Sequence, residues 1–220
     1  MKITKTLTDI VYLKIRDDII HALLKPGSKL KIEQLRKRYD IGASPIREAL
    51  SRLCSDGFVA IKGQQGFSVV EMTKSDLIDV TNTRILVENE ALKLSILNGN
   101  DDWESSVVAA FHRLSKIEHS SIDGNNQDLE KYNKIFHDSL VSACNSNTLL
   151  KFYNILYDQH KRYRNLAREV NHIKRSLHTE HTDIYEAALA KDVKAVCKAN
   201  ENHIRKTEEV VLNFEKDEWF

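Results

Sequence analysis

Four residues in the C-terminal two-thirds of this 220-residue chain have the types and spacing to hold a metal ion: Asn133, His137, His181 and His203. Asn133 and His137 are four apart, so on a helix both side chains emerge from one face about one turn apart and can share a bound ion. Helix bundles build metal sites in this way, from inward-facing residues on neighbouring helices. The competing reading is that the chain holds nine histidines, and one on a helix face is more commonly a surface or hydrogen-bonded core residue than a ligand.

The elements that must position these residues are helices. Residues 75–97 read as a long helix opened by Ser75-Asp76, with Leu77, Val80, Ile85, Leu92 and Ile96 on its inner side. Further helices are predicted over 101–119, 126–143, 148–169, 173–190 and 193–214. Short polar loops such as Asn98-Gly99-Asn100 separate several of them, so neighbours should pack antiparallel. Both prolines lie before residue 46 and five of the seven glycines before residue 67, a shift in composition that marks a domain boundary near Glu71 to Lys74. The expected division is therefore 1–70, a linker at 71–75, and an all-helical domain at 76–220 that also dimerises.

The N-terminal part carries a different pattern. Met1 to Thr8 is expected to be a loose arm, followed by an amphipathic helix over 9–24, with Ile10, Leu13, Ile19, Ile20 and Leu23 inward, that Pro26-Gly27 stops. Ile32, Leu35 and Tyr39 mark a short basic helix. A second helix follows the tight Asp40-Ile41-Gly42 connection, with Ser44 expected to cap its first amides and Pro45 to take its first position. Ile46, Ala49, Leu50 and Leu53 form its apolar stripe, leaving Arg47, Arg52 and Ser44 to face outward. Phe58 to Ile61 and Gly66 to Val70 read as two strands around Lys62-Gly63-Gln64-Gln65. The predicted fold is mainly α: an N-terminal winged helix-turn-helix with a small β-hairpin wing, followed by an all-α helical bundle.

Charge agrees with that division. Residues 1–70 hold 13 Lys/Arg against 7 Asp/Glu, whereas 71–220 hold 20 against 25, so the overall +1 conceals a basic head and an acidic bundle. A basic head suits phosphate neutralisation on double-stranded DNA. Ser44, Arg47 and Arg52 are the expected DNA-facing residues of the recognition helix, with Lys62, Gln64, Gln65 and Gly66 at the wing tip. For Arg52 the structural alternative is an ion pair with Asp56, four residues on. No apolar run approaches 18 residues, and the N-terminus lacks a signal-peptide pattern, so a cytoplasmic protein with no membrane role is expected. Cys54, Cys144 and Cys197 are far apart with no CxxC spacing and read as reduced thiols.

The runs KPGSKL, IGASPIREAL, LCSDGFV and GQQGFSVV resemble the DNA-binding domain of GntR-family bacterial transcription regulators, in register over residues 9–70. Where that family usually places Ser-Arg at the head of the recognition helix, this chain has Gly42-Ala43, so one DNA-reading arginine is missing. Arg84 to Glu88, Tyr132 to His137, Glu180 to Ile184 and Asn202 to Ile204 are similar to recurring segments of the FCD-type effector domain of one GntR subfamily. The resemblance implies that Asn133, His137, His181 and His203 hold a divalent metal, zinc or nickel by the preference of imidazole. It also implies a homodimer on a palindromic operator, and a repressor released by a small carboxylate.

Three neutral imidazoles and a neutral amide leave a metal's charge uncompensated, so an anionic ligand should complete its shell. Arg84 could hold a second carboxylate, or instead pair with Glu88 along its own helix. Arg164 is a weaker candidate for the same pocket, because Lys161, Arg162 and Arg168 make its surroundings read as solvated, and His178, three residues before His181, could line it or lie at the surface. The alternative function is a metal-dependent enzyme with an accessory nucleic-acid-binding domain, against which no Glu or Asp stands evidently beside the ligands as a general base.

Overall fold

The structure, a computed structural model, describes residues 6–61, 63, 66–120, 126–170 and 176–214. The elements run α1 (Leu7–Ile20), α2 (Ile32–Tyr39), α3 (Ala43–Ser55), β1 (Val59–Ile61), β2 (Phe67–Val69), α4 (Lys74–Asn98), α5 (Asp101–Ser120), α6 (Asn126–Val141), α7 (Asn147–Val170), α8 (Leu177–Leu189) and α9 (Val193–Leu212). A mainly helical chain with one small hairpin after the helix-turn-helix is the fold that apolar spacing and chain breakers predict. Two compact units divide it. The first takes residues 1–80, 157–171 and 210–220, and the second 81–156 and 172–209.

In the first unit, α1 begins at a capping box in which the Thr6 hydroxyl accepts from the Asp9 amide and the Asp9 carboxylate accepts from the Thr6 amide, both at 3.1 Å. The expected loose arm is thus ordered from Thr6 onward, and residues 1–5 lie outside the described residues. The helix ends at Ile20 rather than 24, because Ala22 takes a left-handed φ of 55°, and Leu23, expected to face inward, is exposed. Val11, Ile15 and Ile19 of α1 meet Leu35 of α2, Ile46, Leu50 and Leu53 of α3, and Val59 and Val69 of the hairpin in one core. Each such side chain contributes about 1.5–3 kcal/mol by leaving water.

The recognition helix α3 starts two residues earlier than expected. Gly42 is its N-cap and no side chain caps it, so Ser44 is the second helical residue and not the cap. Pro45 is accommodated because the amides of a first helical turn have no intrahelical acceptor in any case. β1 and β2 pair antiparallel with Ala60 opposite Ser68, and Lys29 adds a one-residue bridge on the other side of Ser68.

The first unit also contains the C-terminal half of α7. Tyr163 and Leu166 pack with Leu77, Val211 and Phe214 in a second core, and the Tyr163 hydroxyl donates to Asp76 at 2.5 Å. In the second unit, α5 packs against α6 and α8, and Phe111 of α5 stacks on Tyr185 of α8 with centroids 4.1 Å apart. The α4–α5 corner needs Gly99: a Cβ there would clash with the Trp103 ring and lie 2.7 Å from the Ser95 carbonyl oxygen. Among the described residues, no helix is long and apolar enough to cross a membrane.

Candidate metal centre and nucleic-acid interface

The second unit brings together three histidines that lie far apart in the chain. His137 on α6, His181 on α8 and His203 on α9 are buried, and one ring nitrogen from each lies within 4.8 Å of the others. Ring centroids are 5.6 Å apart for His137–His181, 5.1 Å for His137–His203 and 4.8 Å for His181–His203. Asn133 is buried one turn before His137 on α6.

Behind each ring stands a glutamate that no local spacing in the sequence reveals. Nδ1 of His181 lies 2.6 Å from Glu118 of α5, Nδ1 of His203 lies 2.9 Å from Glu180 of α8, and Nδ1 of His137 lies 3.4 Å from Glu88 of α4. The Glu118 and Glu180 carboxylates accept from Nδ1–H of His181 and His203, which in a neutral ring leaves the Nε2 lone pair free, whereas Glu88 lies at ion-pair distance from Nδ1 of His137. Nε2 of His181 is buried and has no hydrogen-bond partner among the described residues. The three carboxylates face the Nδ1 side, where they orient the rings and are not placed as bases for a reaction on the Nε2 side.

Arg84 takes the position that its structural alternative predicted. It is buried, and its Nε donates to Glu88 at 2.9 Å, while the other Glu88 oxygen is the one facing His137. Burial alone would raise the Glu88 carboxyl, but Arg84 and then His137 outweigh it and hold it down at about 2. Burial pushes His137 down to about 4 against the pull of Glu88, so this imidazole is neutral at physiological pH. His178 is half-buried outside the cluster, 3.1 Å from the second oxygen of Glu118. Arg164 belongs to the first unit, where its guanidinium lies 4.7 Å from the centre of the Tyr157 ring. The solvated stretch expected around it is instead buried at Arg162 and Arg164, which are 3% and 7% exposed.

A buried trio of imidazoles fits a divalent metal of the borderline class, which each would bind through a deprotonated ring nitrogen. Asn133 would offer a neutral oxygen.

On the head, Ser44 and Arg47 are exposed on α3. Arg52 is engaged by α1: its Nη1 donates to Asp9 at 2.8 Å and its guanidinium sits 4.5 Å from the Tyr12 ring centre, so its ion-pair partner is Asp9 and not Asp56. Asp56 accepts from the Tyr12 hydroxyl at 2.6 Å. Gly66 is exposed and adopts a left-handed φ of 78° at the wing. Lys62, Gln64 and Gln65 lie outside the described residues. The roles of Glu118 and Glu180 escaped sequence reasoning, since neither has a local spacing that ties it to its histidine.

A winged helix-turn-helix head joined to a helical domain with an internal histidine cluster defines a DNA-binding transcription regulator. The chain belongs to the GntR family: residues 7–69 match the family described as bacterial regulatory proteins, gntR family, and residues 79–206 match the FCD domain. It is similar to the HTH-type transcriptional regulator BphR of Paraburkholderia xenovorans, with 37% identity over 96% of this chain and 87% of that protein. It is also similar to the HTH-type transcriptional repressor GlaR of Escherichia coli, with 32% identity over 88% of this chain and 90% of the repressor. The solved structure of E. coli McbR/YncC shares the fold at a TM-score of 0.78 and 19% identity, covering 95% of this chain and 98% of that one. These relatives are transcription regulators, not enzymes.

Proposed function

We propose that this GntR-family regulator is a homodimeric cytoplasmic repressor whose hold on a palindromic operator is released by a small carboxylate bound at a divalent metal. The carrying observation is the buried trio His137, His181 and His203, with ring nitrogens within 4.8 Å and Asn133 on the same face of α6 as His137. Zinc or nickel suits that donor set.

The charges facing the trio favour an anionic effector. Glu88, Glu118 and Glu180 face the histidines, and Arg84 and Lys206 face two of these glutamates. Those groups together carry one excess negative charge, so a divalent ion leaves the site positive and a carboxylate completes it favourably. A dicarboxylate or hydroxy acid that chelates the metal is the preferred class. Arg84, committed to Glu88, acts on such a ligand through the site's charge.

On DNA, Ser44 and Arg47 present the recognition helix to the major groove, with Gly66, Lys62, Gln64 and Gln65 as the wing. Arg52 braces α3 against α1 while remaining close enough to the surface for a phosphate. Two heads on one dimer match two half-sites, and effector binding shifts the equilibrium between binding and non-binding placements by about 1–3 kcal/mol.

The experiment is elemental analysis of protein kept away from chelating columns, beside a His137→Ala/His181→Ala variant, followed by operator titration with short dicarboxylates and hydroxy acids. About one metal per chain, lost in the variant, with operator release by a metal-chelating acid, is the expected result. Operator binding that no acid changes, in a metal-loaded protein, would overturn the effector reading.

A further inference from the structure

The same device stands behind each of the three histidines. Glu88 puts one oxygen toward His137 at 3.4 Å and accepts from Arg84 on the other at 2.9 Å. Glu118 puts one oxygen 2.6 Å from His181 and the other 3.1 Å from His178. Glu180 puts one oxygen 2.9 Å from His203 and the other 3.0 Å from Lys206. All three glutamates are buried or nearly so, with side chains 2%, 5% and 6% exposed.

We infer that Glu118 and Glu180 are positioning residues of the metal centre, fixing the tautomer and ring angle of His181 and His203, that Glu88 orients His137 through the charge it holds 3.4 Å from that ring, and that Arg84, His178 and Lys206 lock those carboxylates in turn. The inference rests on the metal reading above and adds the residues that make the three nitrogens converge. A carboxylate behind Nδ1 keeps the proton there, makes Nε2 more basic, and stops the ring from flipping. Gripping the second oxygen removes the remaining rotation of the carboxylate. Glu118 carries the point furthest, because α5 supplies no histidine to the trio yet reaches it through this one side chain.

A purely structural account is that buried imidazoles and carboxylates satisfy one another's hydrogen bonds. The two accounts differ in what the metal feels. The full chain and its Glu118→Ala, Glu118→Gln and His178→Gln variants are titrated with zinc against a chromophoric chelator and with cobalt(II) by visible absorption, alongside thermal unfolding of the metal-free forms. Expected is a loss of zinc affinity of about 10- to 100-fold in Glu118→Ala, with part of it recovered in Glu118→Gln, whose amide oxygen still accepts from Nδ1. The cobalt spectrum should change in Glu118→Ala. His178 is partly exposed, so His178→Gln tests the chain of contacts with the core intact, and it should weaken zinc binding by a smaller factor.

Wild-type protein that takes up no zinc overturns the metal reading and this inference with it. Wild-type protein that binds zinc, with Glu118→Gln and His178→Gln both binding as tightly and Glu118→Ala either equal or unfolded, overturns the positioning role alone.

Discussion

Arg162, buried on α7, donates from its guanidinium to the main-chain carbonyl of Val70 at 2.6 Å, just where the hairpin of the head ends. Three residues before it, Gln159 donates to the carbonyl of Asp56 at 2.7 Å, and three residues after it, Asn165 donates to the carbonyl of Ile20 at 2.9 Å. Residues spaced by three share one helix face, so a single stripe of α7 grips the ends of α3, the hairpin and α1. Arg16 of α1 adds an ion pair with Asp158 at 3.0 Å.

Removing the central donor leaves a partly buried carbonyl without its donor. Arg162→Leu should destabilise the protein by about 1–3 kcal/mol and Gln159→Ala by about 0.5–1.5 kcal/mol, read from urea unfolding midpoints. Equal stability of Arg162→Leu and wild type would show that the contact contributes nothing.

Arg47 and Arg52 should separate in their effects. Arg47→Ala is expected to weaken operator binding by about 1–3 kcal/mol if it reads a base, with little change in stability. Arg52→Ala loses an exposed ion pair with Asp9, whose contribution to stability is small because solvent screens it. Operator titrations at two salt concentrations, beside thermal melts, distinguish reading from bracing.

Metal should stabilise the folded chain. At a free zinc concentration a hundred times Kd, the unfolding free energy rises by about 2.7 kcal/mol, and a chelator should remove that gain. In His203→Ala the melting temperature should ignore both additions.

A negative charge at position 133 should oppose the effector. Two unit charges about 4 Å apart repel by roughly 4 kcal/mol at an effective dielectric of 20, so even with screening Asn133→Asp should weaken carboxylate binding by about tenfold or more. Calorimetry on metal-loaded protein decides this, and unchanged or tighter binding would sink the charge argument.

The corner at Gly99 has no room for a side chain. Gly99→Ala should cost about 1–3 kcal/mol through the Trp103 ring and the Ser95 carbonyl, measured by urea unfolding.

The helices were legible because their signals are local: apolar spacing, breakers and caps set α2 and α4 through α9 within a few residues of their observed ends. α1 misled because Leu23 continues the apolar spacing after the backbone has already turned at Ala22. The Lys29 bridge to Ser68 is a single residue pair and leaves no periodic trace. At the candidate site the histidines stood out by type and order, but Glu118 and His181 are 63 residues apart and meet only in space. Arg162 read as solvated because a basic helical stretch normally is, and only tertiary packing supplied the Val70 carbonyl.

Three of the contacts that α7 makes with the head fall on main-chain oxygens, at Ile20, Asp56 and Val70. Any residue at those three positions offers the same acceptor. The surface that meets an operator can therefore drift, residue by residue, while the attachment beneath it stays intact.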